Sequence, residues 1–506
     1  MTLKIVGSDA MARIDSRSQH EFAIPSTILM EDAGVKAWAL VRARIGEGRR
    51  PRGRLLFVAG RGNNGGDAFV MARHAAVEHA GPVSIVLAAG LPSPDTDPAR
   101  MLAICDALGI ERMGWPEERG LVEERRTQSG WVFDGITGTG ITGALKPPLT
   151  ELVEAMNAGH GHRVAIDVPS GVGDGFREGF PAIRAEATLT MGLPKLCLYL
   201  PHTRPFCGKI HIVRPGFPPA LVEDPGIMGE LLAPNSFRAL VPRIPLDTHK
   251  NRRGHLAVFA GSRGTTGAAW LCATAAARSR VGLVTLFADQ DCYPIVAPRL
   301  TSIMCRPWDA QTGADSTGWD PRRFSAVLAG PGWGLGAEKG LWLDHLLSLP
   351  VPGVLDADAL TLLGERAARA TLDLGGRWVL TPHPGEFSRL TGAARDAVLD
   401  DPVEHARAAS RRFNAVIALK GACTVIAAPE GRFWILDGAN PALATGGSGD
   451  VLAGIIAGGL AGGMSPLHAA LFGVSLHAHV GRLAARMRGW FLAEDLVPLI
   501  SRVLWQ

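Results

Sequence analysis

Aspartates close apolar runs at several points of this chain, where a carboxylate could move a proton or hold a cation. Asp134 ends the run Trp131–Asp134 and leads into Gly135-Ile136-Thr137-Gly138-Thr139-Gly140. Asp167 lies in Ala165-Ile166-Asp167-Val168-Pro169-Ser170-Gly171, and Asn64 follows Gly60-Arg61-Gly62-Asn63. Residues at the carboxyl ends of strands in an open parallel sheet converge on one crevice, so Asn64, Asp134, Asp167 and Ser170 can meet there. Oxygen ligands without His or Cys suit a hard cation. An Asp beside a reactive ring could also transfer protons. Taken singly, each Asp could equally cap a turn or a helix.

A second set lies further on. Asn440-Pro-Ala-Leu-Ala-Thr-Gly446-Gly447-Ser448-Gly449-Asp450 precedes the small-residue helix expected over Val451–Gly463. A Gly-rich helix N-terminus can neutralise a developing phosphoryl charge. Asp450 at that end could take a proton from a hydroxyl, or simply cap the helix. Asp356-Ala357-Asp358, Thr381-Pro-His383-Pro-Gly-Glu386 and Lys420-Gly421-Ala422-Cys423-Thr424 also follow apolar runs. Lys420 before Gly suits phosphate, and His383 sits between prolines. Together they fit a ligand crevice rimmed by one end of a sheet. His477-x-His479 has helical spacing and lacks an evident third ligand, so a metal there is not expected.

The elements that would position these residues are legible. Leu55–Ala59, Val83–Leu87, Trp131–Asp134 and Arg163–Val168 are short apolar runs with helical patterns between them, as buried parallel strands require. After Leu55–Ala59, the glycines Gly60, Gly62 and Gly65 match G-x-G-x-x-G ahead of an amphipathic helix. The second strand ends in Ser84-Ile-Val-Leu-Ala-Ala89 without the acid that a dinucleotide dehydrogenase uses on ribose. The loop therefore reads as phosphate-binding, or as a bare βα turn, rather than as a hydride-transfer site. The second block restarts at His255–Ala260, a Gly-rich turn Gly261–Gly267, a helix Ala268–Arg278 and Leu283–Phe287. Further strand-like runs are Ala326–Ala329, Gly353–Asp356, Trp378–Thr381, Ala415–Leu419, Thr424–Ala427 and Phe433–Leu436. The fold class is α/β, with two domains on mostly parallel sheets. Pro-rich sequence from Pro215 to about Pro245 sets the divisions at 1–220, a linker 221–245, and 246–506.

Composition narrows the function. The 506 residues carry 52 Lys+Arg against 48 Asp+Glu, a net charge of +4 that is too balanced to make nucleic acid the main partner. The arginines Arg42, Arg44, Arg49, Arg50, Arg52 and Arg54 read as a solvated loop before an anion patch. Cys105, Cys197, Cys207, Cys272, Cys292, Cys305 and Cys423 are scattered without Cys-x-x-Cys, which suits a reducing, cytoplasmic setting. The apolar stretch Val451–Met464 is short of the ~20 residues that span a membrane. Its Gly454, Gly458 and Gly462 instead suggest close helix packing.

The first block resembles the NAD(P)H-hydrate epimerase domain. The resemblance rests on Leu29–Gly34 (LMEDAG), GNNGGD (Gly62–Asp67), Asp134–Gly140 and DVPSG (Asp167–Gly171). It implies a Rossmann-like domain that binds hydrated NADH or NADPH. Asn63, Asn64, Gly65, Gly66 and Asp67, with Gly138, Thr139, Gly140, Ile141, Thr142, Gly143 and Ala144, would hold the dinucleotide. Asn64, Asp134 and Ser170 would hold a potassium ion, and Asp167 would be the acid/base at nicotinamide C6.

The second block resembles the ADP-dependent NAD(P)H-hydrate dehydratase domain of the ribokinase-like superfamily. The matching stretches are Gly254-His255, Gly261–Ala269, Gly330–Gly334, Leu355–Leu360, Thr381–Phe387, Leu419–Ala422 and Gly446–Gly454. This implies that Asp450 deprotonates the C6 hydroxyl of the S-hydrate, ADP phosphorylates that oxygen, and phosphate then leaves. Ala268, Gly332, His383 and Asp450 would contact the hydrate. Lys420, Gly421, Ala422, Cys423, Thr424 and Gly449 would contact the nucleotide, with magnesium accompanying it. The chain departs from the pattern at Ser279-Arg280-Val281, where the family is small-residue, at Thr301–Met304, and at His249-Lys250-Asn251, where HKG is usual. The expectation is a bifunctional repair enzyme acting on NADH and NADPH hydrates and ADP, with self-association into a homo-oligomer and no nucleic acid or membrane partner. The alternatives are an alcohol kinase on the same scaffold and a nucleotide-binding protein without turnover.

Overall fold

The computed structural model describes residues 2–45, 53–223, 229–308 and 319–505. The chain divides into two compact units, Leu3–Ile227 and Met228–Gln506 with the first two residues.

In the first unit the apolar runs become a seven-stranded sheet, in which each neighbouring pair is parallel. Its spatial order is Glu111–Gly114, Val83–Leu87, Arg54–Ala59, Ser129–Gly135, His162–Ile166, Ala187–Met191, Lys209–Val213. The chain enters at Arg54–Ala59, builds outward to one side, then crosses back to Ser129–Gly135 and builds the other way. The direction of winding thus reverses between these adjacent strands, and such a switch point leaves a crevice at their carboxyl ends. Phe57 and Phe133 stack across the same two strands with centroids 4.4 Å apart, so the strands beneath the crevice are rigidly packed. Glu111–Gly114, Ala187–Met191 and Lys209–Val213 lie outside the runs singled out from sequence. Glu111 and Arg112 make the first polar, and Lys209 and His211 do the same for the last, as sheet edges allow.

The strands of the second unit run Gly229–Leu232, Phe433–Asp437, Cys423–Ala427, Val416–Leu419, Trp378–Leu380, Gly353–Leu355, Ala326–Ala329, His255–Phe259, Leu283–Asp289, Met304–Trp308. Pairing is parallel except through Val416–Leu419, Cys423–Ala427 and Phe433–Asp437, which form an antiparallel meander. Winding reverses here too, between His255–Phe259 and Ala326–Ala329. The Pro-rich stretch expected as a linker carries structure of its own: Gly229–Leu232 pairs with Phe433–Leu436, and Phe237–Leu240 is a short helix with Phe237 buried. Short prolines-in-series hid both elements from a pattern search.

Helix Ser448–Ala461 is buried almost all round and lies against helix Thr266–Arg278. The glycine spacing explains how. A Cβ at Gly454 would fall 2.3 Å from the Cys272 carbonyl oxygen, and one at Gly458 would fall 2.9 Å from Ser279 Cβ. Only hydrogen lets the two backbones come this close. Among the described residues no helix is long and apolar enough to cross a membrane.

Candidate active sites

The first crevice is built where strand Arg54–Ala59 turns into helix Asn63–Val77. The turn is tight: a Cβ at Gly60 would lie 2.0 Å from the Ile136 oxygen, and one at Gly65 would lie 2.0 Å from the Gly60 oxygen. Gly62 caps the helix without a side-chain acceptor, which leaves the first-turn N–H groups open to an anion. Gly138–Ala144 follows Ser129–Gly135 as a partly exposed loop facing the same end of the sheet.

Asn64, Asp134 and Ser170 come together around Thr137. Asn64 Nδ2 donates to the Thr137 carbonyl at 2.9 Å, and the Thr137 N–H donates to Ser170 Oγ at 2.9 Å. Ser170 donates its hydroxyl to Asp134 Oδ1, and its N–H to Asp134 Oδ2 at 2.7 Å. Asp134 is fully buried, and burial pushes its carboxyl up to about 6 against these hydrogen bonds. Asn64 Oδ1 is buried with no hydrogen-bond partner. An orphaned amide oxygen, a single carboxylate and a hydroxyl suit a weakly held monovalent cation, and potassium fits that set. Groups of three or more His, Cys, Asp or Glu that could hold a metal are absent among the described residues.

Asp167 stands at the next strand end with φ +62°, a left-handed conformation unusual outside Gly, Asn and Asp. Its Oδ1 accepts from the Met191 N–H at 2.9 Å and from the Lys195 ammonium. Lys195 is 1% exposed and also donates to the Met191 carbonyl. Asp67 is held well above the ordinary carboxylate range, by burial first and then by the nearby charge of Asp167. Lys195 escaped the sequence reading. Its signal was faint: one lysine in the otherwise apolar Leu193–Tyr199.

The second crevice gathers the carboxyl ends of the five neighbouring parallel strands from His255–Phe259 to Val416–Leu419. Thr265 Oγ1 donates to the Gly332 carbonyl at 2.7 Å, tying the loop before Ala268 to Gly332, whose φ is +55°. Asp358 Oδ2 accepts the Gly334 N–H at 2.8 Å. Lys420 Nζ donates to Asp356 Oδ1 at 2.7 Å and lies 3.7 Å from Glu386 Oε2. Burial alone would lower Lys420, but Asp356 and Glu386 outweigh it and hold the ammonium above its ordinary value. His383 caps helix Pro384–Thr391: its Nδ1 accepts from the Gly385 N–H at 3.0 Å, and Glu386 Oε2 accepts the His383 N–H at 2.8 Å. The imidazole is half exposed, with burial pulling it below its ordinary value.

Asp450 sits in the first turn of helix Ser448–Ala461, behind Gly447 at φ +87°. A Cβ at Gly449 would lie 3.4 Å from Lys420 Nζ, so this turn abuts the ammonium. Burial raises the Asp450 carboxyl to about 7, Asp356 adds to this and Lys420 opposes it. A carboxylate poised there can accept a proton at neutral pH. Gly421 and Ala422 turn the chain from Lys420 into strand Cys423–Ala427, which carries Thr424. The structure therefore brings Ala268, Gly332, His383, Lys420, Gly449 and Asp450 to one edge. His477 instead turns to Ser448 Oγ at 3.2 Å and His479 packs edge-on against Phe237, so the pair diverges. Of the arginine cluster, Arg42 pairs with Glu78 at 2.8 Å and Arg54 with Glu111 at 3.1 Å. Arg49, Arg50 and Arg52 lie outside the described residues, as does the side chain of Arg44.

Two domain families match in the order the crevices demand. Residues 26–197 match the YjeF-related protein N-terminus, and residues 256–502 match NAD(P)H-hydrate dehydratase. A bifunctional NAD(P)H-hydrate repair enzyme from Moorella thermoacetica is 35% identical over 99% of this chain and 96% of its own length. The corresponding enzyme of Gloeobacter violaceus is 37% identical over 94% of each chain, and that of Escherichia coli is 31% identical over 94% and 89%. Among solved structures, a ribokinase-like superfamily protein from Enterococcus faecalis superposes with TM-score 0.50 at 24% identity, covering 55% of this chain and 95% of its own. An ADP/ATP-dependent NAD(P)H-hydrate dehydratase from Bacillus subtilis, co-crystallised with ATP and Mg2+, is 32% identical with TM-score 0.49 over 54% and 96%. The fold is that of a two-part α/β enzyme with a ribokinase-like second half. The chain belongs to the family of bifunctional NAD(P)H-hydrate repair enzymes.

Proposed function

We propose that the first unit epimerises the R- and S-hydrates of NADH and NADPH, and that the second dehydrates the S-hydrate with ADP as phosphoryl donor. The observation that carries this reading is Asp450, raised to about 7 in a helix first turn beside Lys420. In the second crevice Asp450 takes the C6 hydroxyl proton. The hydroxyl oxygen then bonds to the β-phosphorus of ADP as the bond to AMP breaks. Phosphate leaves from C6 with the C6–O bond pair, a proton leaves C5, and the reduced nicotinamide is restored with AMP and phosphate as products. Ala268, Gly332 and His383 line the hydrate side; Lys420–Thr424 and Gly449 line the nucleotide side. Magnesium accompanying the nucleotide supplies charge neutralisation at its phosphates.

In the first crevice Asn63–Asp67 and Gly138–Ala144 bind the dinucleotide. Asn64, Asp134 and Ser170 would hold potassium, which would supply a fixed positive charge in this crevice. Asp167 moves the proton at C6, and Lys195 is the positioning residue that orients its carboxylate. The scatter of the seven cysteines, without Cys-x-x-Cys spacing, supports a cytoplasmic setting. Exposed Met487, Trp490 and Leu492 support self-association, which sedimentation tests.

Purified protein incubated with mixed hydrates, ADP and magnesium is expected to recover the full reduced-nicotinamide absorbance. Asp450→Asn is expected to lower that rate by about 10²- to 10⁴-fold while still binding nucleotide. A stable phosphorylated product without return of the absorbance would replace dehydration by alcohol phosphorylation.

A further inference from the structure

The second unit has a cavity of about 150 Å³ at the edge of its sheet remote from Asp450. Arg252 and Arg253 precede strand His255–Phe259 and Arg280 precedes strand Leu283–Asp289, so these groups lie at the amino ends of parallel strands. The catalytic crevice lies at the carboxyl ends. Val241, Ile244, Met464 and Phe472 supply an apolar wall, and Gly458, Gly459 and Gly462 supply bare backbone. Arg243, Arg252, Arg253 and Arg280 are the charged residues of the lining, which also has Thr248 and Ser279 and no Asp or Glu.

The arginines are held in place. Arg253 donates from Nε at 3.0 Å and from Nη2 at 2.7 Å to the Arg280 carbonyl, and its own carbonyl accepts the Gly282 N–H at 3.1 Å. Arg280 has φ +75°, a left-handed conformation that favours glycine, and it reaches the Pro242 carbonyl with Nη1 at 3.4 Å. A long cationic side chain at a left-handed backbone position is locally strained, and such strain is held only where the surroundings fix it. Burial, and then the charge of Arg253, pull the Arg280 guanidinium below its ordinary value, so the cations crowd one another. Arg252 pairs at 3.6 Å with exposed Asp247, whereas Arg243, Arg253 and Arg280 have no carboxylate partner among the described residues. Of the departures from the dehydratase pattern, Ser279 and Arg280 line this cavity, and Asn251 directly precedes the lining residue Arg252.

We propose that this cavity binds a small phosphate-bearing anion, free or esterified, separate from both catalytic crevices. A tetrahedral dianion meets several forked guanidinium donors at once and relieves their mutual repulsion. The cavity holds the volume of about five waters, enough for phosphate with a short apolar or alcohol body on the Phe472 side. The carbonyl ends of helices Thr266–Arg278 and Ser448–Ala461 point the opposite electrostatic way, and the guanidinium charges must outweigh them; Arg253 takes the Arg280 carbonyl just beyond the first helix. The two helices that begin at the catalytic crevice end here, which makes the site distinct in place but continuous in structure.

The test is thermal unfolding of the full-length protein titrated with inorganic phosphate at constant ionic strength, beside glycerol 3-phosphate and citrate. Arg280→Gly relieves the backbone and removes one donor; Arg243→Ala removes an exposed one. Wild type is expected to gain melting temperature with phosphate or its ester. Arg280→Gly is expected to start higher, and to weaken the phosphate response by about tenfold in concentration. The shift produced by ADP is expected to stay unchanged in both variants, which separates this site from the catalytic one. An identical phosphate response in wild type and both variants would overturn the proposal, as would no response. A citrate response that equals or exceeds that of phosphate would overturn the phosphate assignment.

Discussion

Two carboxylates of this protein each lie near a lysine, Asp450 within the field of Lys420 and Asp167 in direct contact with Lys195. Asp450 is pushed to about 7 chiefly by burial, and Lys420 works against that push. The sign of its pH dependence follows: dehydration rises with pH through about 7 as Asp450 loses its proton. Lys420→Met removes the opposing charge, so the midpoint of that rise is expected to move above 7 in kcat profiles at saturating ADP. An unmoved midpoint would separate Lys420 from Asp450. Asp167 instead rests directly on the buried ammonium of Lys195. Lys195→Met is expected to lower epimerase kcat by about a hundredfold with the hydrate KM little changed. Equal losses in epimerase and overall folding, read by circular dichroism, would reduce Lys195 to a structural role.

At the scale of elements, both crevices depend on backbones that approach more closely than a side chain permits. The Gly60–Gly65 turn sets where helix Asn63–Val77 starts, and hence where Asn64 points. Gly254, with φ +83°, has the Ala461 oxygen 1.8 Å from where a Cβ would stand. It therefore fixes the end of the helix whose beginning carries Asp450. Gly254→Ala is expected to cost at least about 2 kcal/mol of stability in urea unfolding, because the clash is with backbone and the conformation disfavours any side chain. A variant as stable as wild type would show that this approach is relaxed in solution. The helix pair Thr266–Arg278 and Ser448–Ala461 adds a second constraint, since Gly454 and Gly458 set the distance between Ala268 and Asp450.

For the whole molecule, each unit has its own switch point and its own crevice, so the two activities are separable by mutation. Asp167→Asn keeps a residue type that tolerates the left-handed backbone. It is expected to leave S-hydrate dehydration intact, while R-hydrate returns only at the spontaneous rate of epimerisation. Separated epimers followed by chromatography check this. Loss of S-hydrate dehydration in the same variant would place Asp167 in the service of both reactions.

What the residues determined alone was local and sequential. Apolar runs located most of the strands because strands buried on both faces must be apolar throughout. Turn chemistry marked Gly60–Asp67, Asp167–Gly171 and Gly446–Asp450, and the ordered motifs pointed to the family. The polar edge strands Glu111–Gly114 and Lys209–Val213 were not legible, since one exposed side dilutes their pattern. Gly229–Leu232 was hidden by its Pro-rich surroundings and is a strand through its pairing in the sheet, with Phe433–Leu436 on one side. Tertiary structure alone decided that Lys195 reaches Asp167 across 28 residues, that Lys420 meets Asp356 across 64, and that arginines from three segments share one cavity. Such partnerships are properties of distance and burial, and burial sets the protonation of a carboxylate only after the chain has closed around it.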